Sequence, residues 1–274
     1  MAGDPFITEA LWERIDRELE AIEHEHQVRI LLAVESGSRA WRFPSLDSDY
    51  DVRFIYTHPP AAYLSIEPPR DVIERPIDGI LDINGWDIRK ALQLLVRSNP
   101  VVLEWLNSPI RYRDSGTIPN RLLKLARETC CLPALAYHYD RLARHTFSKI
   151  ASEGDPIRFK AYCYALRPVL ALLWIRRRLE PPPMDLPELL NGIALAEDVR
   201  LAITELIARK AAADEHGVGP RVPVLDAVIA ETLSEPVNRF ILPDRTVVRS
   251  EADALFADIV LSATLPESDT GIHK

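Results

Sequence analysis

Cysteine is nearly missing: 274 residues contain three, Cys130, Cys131 and Cys163. None has a Cys or His partner at zinc-ligand spacing, and so sparse and odd a set cannot staple a fold. It fits a reducing compartment, where free cysteine packs as a small hydrophobe. A long apolar run is also missing. The stretch Val28 to Val34 is broken by Arg29 and is far shorter than the ~20 residues that span a bilayer. The opening MAGDPFITEALWERIDRELE has neither the basic lead nor the apolar stretch of a signal peptide. The seven histidines form no HExxH and no paired metal spacing. There is no internal repeat, and no biased tract beyond Pro181 to Pro183. These absences exclude a disulfide scaffold and a zinc module, and the expectation is a cytoplasmic protein without a membrane partner.

What is present is ample apolar material, 47% of the chain, and an uneven charge. The net charge is -8. From His138 to Arg178 there are nine Lys or Arg against three Asp or Glu, a local +6 that leaves -14 elsewhere. An acidic protein with one basic region suits a compact polyanion such as a nucleoside triphosphate better than a DNA duplex, though a solvated helix face has the same composition.

Strand signals are confined to the first ~90 residues. ITEALWERIDRELEAIEHEH carries Leu11, Ile15, Leu19 and Ile22 at helical spacing. Gln27 to Val34 reads as a buried strand running into a turn at Glu35-Ser36-Gly37-Ser38. Asp49 to Tyr56 alternates, with Tyr50, Val52, Phe54 and Tyr56 on one face and Asp49, Asp51 and Arg53 on the other. A short helix around Ala61 to Leu64, strands at Asp71 to Arg75 and Ile80 to Trp86, and a helix from Asp87 that ends before Asn99-Pro100 complete the front. Helices separated by prolines fill the remainder.

The acidic pair is the most constrained feature. Residues two apart on a strand share a face, with Cα atoms about 6.5 Å apart, so Asp49 and Asp51 look into one site. Paired hard oxygens suit Mg2+, which takes one or two carboxylates together with substrate phosphates. Two such ions clamp the attacking and leaving oxygens of an in-line phosphoryl displacement. Twelve residues earlier lies Gly37-Ser38, where the missing β-carbon lets a phosphate approach the backbone. Ser38-Arg39-Ala40-Trp41 opens a short helix whose N–H groups, with the Ser38 hydroxyl, face anionic oxygens.

SerGlySer followed by AspTyrAsp resembles the signature of the DNA polymerase beta-like nucleotidyltransferases. More narrowly, GSRAWRFPSLDSDYDVRFIY, DINGWDIRKALQLL, SNPVVLEWLNSP and KAYCYALRPVLALLWI are similar, in that order, to the YcgL-type group, the RNA repair pathway polymerase beta-like family. The resemblance runs from about Arg29 to Pro183. One departure is Arg42, where relatives are expected to carry glycine.

The resemblance implies an α+β fold in which a sheet-and-helix nucleotidyltransferase domain, residues 1–110, precedes an all-helical nucleotide- or substrate-binding domain, residues 111–274. It implies transfer of an NMP from an NTP to an acceptor hydroxyl with pyrophosphate release, the acceptor being RNA, protein or a small molecule. A nucleotide-binding module of the same fold without catalysis is the alternative, and an interaction protein a third. Two Mg2+ ions are expected on Asp49, Asp51 and a third carboxylate, Asp87, with Asp82 as the other candidate. Asp87 immediately before IRKALQLL is also a good helix N-cap. Gly37, Ser38 and Arg39 are expected on the pyrophosphate. Lys160, Tyr164 and Arg167, at spacings of four and three on one helix face, are expected at the nucleotide, with the two cations near the triphosphate and the ring against base or sugar.

Overall fold

The computed structural model describes residues 7–214, 216–237 and 244–262. The front of the chain runs α1 (Glu9–His26), β1 (Arg29–Glu35), α2 (Gly37–Ala40), β2 (Tyr50–Thr57), α3 (Pro60–Tyr63), β3 (Val72–Glu74), β4 (Leu81–Asp87), α4 (Ile88–Val96), α5 (Pro100–Leu106), β5 (Arg111–Asp114) and α6 (Thr117–Thr129). Then come α7 (Leu132–Glu153), β6 (Ile157–Arg158), α8 (Phe159–Arg178), α9 (Leu186–Gly192), α10 (Glu197–Ala212), β7 (Val218–Gly219), α11 (Pro223–Ser234) and α12 (Thr246–Leu261). The first six residues of the opening segment lie outside the described residues.

Five strands form one sheet in the order β3-β4-β2-β1-β5, with β2 and β4 parallel and the other neighbours antiparallel. The alternation in β2 sets its two faces. Tyr50, Val52, Phe54 and Tyr56 pack with Ile15, Leu19 and Ile22 of α1, whose N-terminus is capped by Thr8 accepting from the Leu11 N–H. On the other face Ile55 joins α4, α5, α6 and α12 in a second core. Along that face the parallel register reads Ile55↔Trp86, Arg53↔Asn84, Asp51↔Asp82. It therefore changes from apolar to charged within four residues. The charged end is the candidate site.

A third core unites α7 to α11 and takes in Phe43 from the connection between α2 and β2. Trp41 packs against it. Cys163 is buried in this core, as a packing cysteine should be.

One expectation needs correction. Strands do not stop near residue 90: β5 pairs with β1, and β6 with β7 in a separate two-stranded ribbon. Strand β5 follows residue 110 in the chain, and α12 returns to pack on α4, so residues late in the chain contribute to the sheet layer. Among the described residues no helix is long and apolar enough to cross a membrane.

A candidate nucleotidyl-transfer site

The site begins with a register. Asp51 and Asp82 stand opposite each other on parallel strands, and one atom, Arg53 Nη2, donates to both, at 2.9 Å from Asp51 Oδ1 and 2.7 Å from Asp82 Oδ2. Arg53 Nη1 donates to the Asp82 carbonyl at 3.0 Å. Both carboxylates are part-exposed, at 26% and 32%. Burial pushes the Asp51 carboxyl above the usual carboxylate range; Arg53 opposes this, the charges of Asp82 and Asp49 add to it, and Lys160 opposes it. Asp49 is an exposed residue one position before β2.

Gly37 is set against this pair. Its φ of +60° lies in the left-handed region, and a β-carbon built there would sit 2.0 Å from Asp51 Oδ2. Only glycine satisfies both the turn and the approach. The neighbouring Ser36 N–H donates to the Asp51 carbonyl at 2.9 Å, so turn and strand are joined directly. Ser38 is buried within the four-residue α2.

Glu35, which ends β1, escaped the sequence reading and is fully buried. Its Oε1 accepts the Asp51 N–H at 3.0 Å, and its Oε2 accepts the Tyr112 hydroxyl at 2.5 Å. Burial pushes its carboxyl up to about 7 against those hydrogen bonds. Its one sequence signal is an acid closing an apolar run.

Arg39 follows on α2, beside the Gly-Ser turn. It is buried, with Nε 3.2 Å from the Asp49 carbonyl, Nη2 2.6 Å from the Ser48 carbonyl and its guanidinium 3.7 Å over the Tyr50 ring. These bonds hold the backbone that delivers Asp49, so Arg39 acts on that segment as a positioning residue. From the helical side, buried Lys210 of α10 reaches the Ser45 hydroxyl at 3.3 Å, and Ser45 and Ser48 bond each other at 2.8 Å.

Asp87 does not join the acidic pair. Paired with Tyr56, it lies five positions past Asp82 on β4, about 16 Å along the strand and on the opposite face by parity. There it is a buried N-cap of α4, accepting the Arg89 N–H at 2.7 Å and the Tyr63 hydroxyl at 2.7 Å. The carboxylate that stands beside Asp51 on the neighbouring strand is that of Asp82.

Of the three residues expected on α8, Lys160 acts electrostatically on Asp51. It lines a cavity of about 340 Å³ with Lys149 and Arg158. Tyr164 packs edge-on against Trp41 and Phe43, with centroids 5.3 and 6.3 Å apart. Arg167 is engaged within the protein. It is 4% exposed, pairs with Glu104 at 2.8 Å, donates to the Met184 carbonyl and lies 4.4 Å over the Trp41 ring. Much of the basic segment is likewise committed: Arg144 pairs with Asp140, and Arg176 holds the Thr232 and Glu235 carbonyls.

Two carboxylate oxygens converging on one guanidinium nitrogen mark a cation position with hard donors, and Mg2+ commonly uses just one or two protein carboxylates. Among the described residues no three His, Cys, Asp or Glu side chains gather closely enough to cage a metal alone. The donor set thus fits an ion that completes its shell with water and substrate.

A glycine turn pressed on one of two paired carboxylates, at the edge of a helical half, defines a protein of the polymerase-beta-like class. More narrowly, the chain belongs to the RNA repair pathway DNA polymerase beta family, whose profile matches residues 11–258. It is 44% identical over 217 residues to the uncharacterized protein YcgL of Bacillus subtilis (strain 168), covering 79% of this chain and 83% of that one. Among solved structures, a nucleotidyltransferase-like protein from Exiguobacterium sibiricum 255-15 is 13% identical. That alignment covers 90% of this chain and 76% of the other at a TM-score of 0.31, too slight a likeness to bear on the argument.

Proposed function

We propose that the protein is a metal-dependent nucleotidyltransferase that moves an NMP from an NTP to an acceptor hydroxyl and releases pyrophosphate. The observation that carries this is the convergence of the Asp51 and Asp82 carboxylates on a single point, hard against Gly37. Asp51 and Asp82 hold the cation, with Asp49 as a further carboxylate at the strand's entry. Bound Mg2+ supplies charge neutralisation at the transferring phosphoryl group and orients its oxygens. The chain's own residues align and balance charge, which is most of what phosphoryl transfer asks of a protein. Gly37 keeps the turn clear for the Asp51 carboxylate, and Glu35 fixes the Asp51 backbone. Lys160 adds positive charge on the side where the phosphates lie. Gly37 and Ser38 present the turn to the leaving pyrophosphate. The acceptor is an RNA end, a protein or a small molecule.

One observation favours a second reading, a nucleotide-binding module without turnover. Arg53 already places a cation on both carboxylates, and a metal ion held there would have to take its place. Incubation with each α-labelled NTP and Mg2+, together with RNA, protein and small-molecule pools, separates the two. Label transfer with pyrophosphate release is expected, and its loss in Asp51→Asn and in Asp82→Asn. Transfer retained in either folded variant sinks the assignment; NTP binding without transfer to any pool selects the second reading.

A further inference from the structure

A furrow that nucleotidyl transfer leaves unused opens at the end of β4 remote from Asp82. Its main part is a cavity of about 410 Å³ between α4 and α12, within the roughly 300–1,000 Å³ of ligand-binding pockets. A second cavity of about 310 Å³ continues it toward Arg70 and Lys90, the two sharing Arg89 and Gln93. Asp87, in the wall of the second, lies five positions past Asp82, about 16 Å along the strand.

Helical spacing builds both walls of the main cavity. Arg89, Gln93 and Arg97 recur at intervals of four along α4 and its C-cap, facing Arg249, Asp253 and Phe256 at intervals of four and three along α12. Among the described residues no carboxylate pairs with Arg89, Arg97 or Arg249, whereas Arg75, Arg113, Arg121 and Arg144 each have such a partner. Rings hold Arg89 instead. Its guanidinium lies 4.9 Å over Tyr63 and 5.2 Å over Phe256, which pack edge-on with centroids 5.1 Å apart. Stacking uses the faces of a guanidinium and leaves its in-plane N–H fork for an anion. Asp253 is the one carboxylate lining this cavity among the described residues. In the second cavity Asp71 pairs with Lys90 at 3.3 Å, and Asp87 caps α4.

Arg89 and Arg97 stand eight residues apart, about 12 Å along the helix axis, too far for one phosphate to bridge. Cations spread along a furrow call for a ligand that carries anions in series. The apolar floor is already closed, since Leu92, Val96 and Ala252 are buried, so an amphipathic peptide finds little to cover. Both walls are helices, which offer an extended peptide no strand edge to join. A nucleic-acid strand needs neither: its phosphates match guanidinium forks, and the exposed Gln93 amide suits the edge of a base.

We infer that the furrow between α4 and α12 binds the phosphate backbone of a single-stranded nucleic acid, with Arg89, Arg97 and Arg249 as the phosphate contacts. Such binding needs no NTP and no metal, so it stands independently of the nucleotidyl-transfer reading. The net charge of -8 repels a strand elsewhere and confines contact to the furrow.

The test is fluorescence anisotropy of the full chain with a labelled oligoadenylate of about ten nucleotides, without NTP or divalent metal, from about 50 to 200 mM salt. Three phosphate contacts predict a slope of about -2 in log K against log salt, from about -0.7 per contact on a single strand. Arg97→Gln combined with Arg249→Gln removes two exposed charges. The pair should flatten the slope by about 1.4, which is about 25-fold in affinity between 1 M and 0.1 M salt. Each single substitution should give about half that slope change, which keeps the test open if the double variant fails to fold by far-UV circular dichroism. Arg209→Gln, at an exposed position on α10, should leave binding as in the wild type. A folded double variant that binds like wild type overturns the site, as does a wild type that binds no strand or an Arg209→Gln variant weakened as much as the double. Tripolyphosphate or an oligoglutamate that displaces the strand at equal anion concentration overturns the assignment to a nucleic acid.

Discussion

Glu35→Gln tests whether a buried carboxyl stands behind the acidic site. Glu35 is wholly inaccessible, and burial raises its carboxyl from 4.5 to about 7 despite the hydrogen bonds from Tyr112 and the Asp51 backbone. The folded protein therefore keeps this proton across a range in which the unfolded chain has released it. Between pH 4.5 and about 7 the native state binds more protons than the unfolded state, so stability falls as pH rises through that window and is flat above it. At 1.36 kcal/mol per pH unit, the interval comes to about 3 kcal/mol. Glutamine cannot titrate, yet its Oε1 still accepts the Asp51 N–H. Any fixed cost of the exchange is the same at every pH and drops out of the comparison. Urea unfolding of both proteins from pH 4.5 to 8 is the assay. With a urea slope of about 3 kcal/mol/M for a chain of this size, the variant's midpoint should gain about 1 M on the wild type across the window. Midpoints that run parallel from pH 4.5 to 8 would refute the reasoning, because Glu35 would then titrate alike in both states.

Other substitutions probe the remaining elements. Gly37→Ala should lower label transfer at least roughly 100-fold, since a misplacement of about 1 Å costs that much and the new β-carbon would collide with Asp51 Oδ2. Kinetics with the labelled NTP show it directly. Asp87→Ala should leave transfer intact but destabilise the fold by about 1–2 kcal/mol through loss of the α4 cap, measured by urea unfolding; a variant that is stable but inactive would restore Asp87 to the chemistry. Arg42 has φ +67°, a conformation that costs a side-chain-bearing residue roughly 1–2 kcal/mol. Arg42→Gly should therefore raise the melting temperature, and a fall would mean that the arginine's contacts outweigh the strain.

Local pattern carried the elements into view and failed on what joins them. The spacing of Ile15, Leu19 and Ile22 gave α1, and the alternation through Tyr50 to Tyr56 gave both faces of β2, because each is a periodicity inside one segment. The choice between Asp82 and Asp87 turns on a parallel register between segments 31 residues apart, and no local pattern encodes that register. An aspartate at a strand end before an apolar helix looks the same whether it binds a metal or caps the helix. Arg39 and Arg167 show the same limit: their charge was visible, but their partners at Ser48, Asp49 and Glu104 come from the fold. Arg42 stands where glycine was expected, and its backbone lies in the left-handed region that glycine favours. Strand β5 escaped because four residues, RYRD, are too few to display a period.

The separation of the Gly-Ser turn from the acidic pair along the chain now has a structural account. The intervening connection is anchored in the helical half at several points: Phe43 is buried in the helical core, the Trp41 carbonyl accepts the Leu186 N–H, and Lys210 reaches Ser45. Arg39 ties the far end of the same connection to the backbone of Ser48 and Asp49. The sheet fixes Asp51 and Asp82 through their register, whereas Asp49 precedes the strand and takes its position from a loop that the helices hold. A shift of α8 or α10 relative to the sheet would consequently move Asp49 and Trp41 while leaving the Asp51 and Asp82 register intact. The helical half is thus placed to adjust the entry to the acidic site.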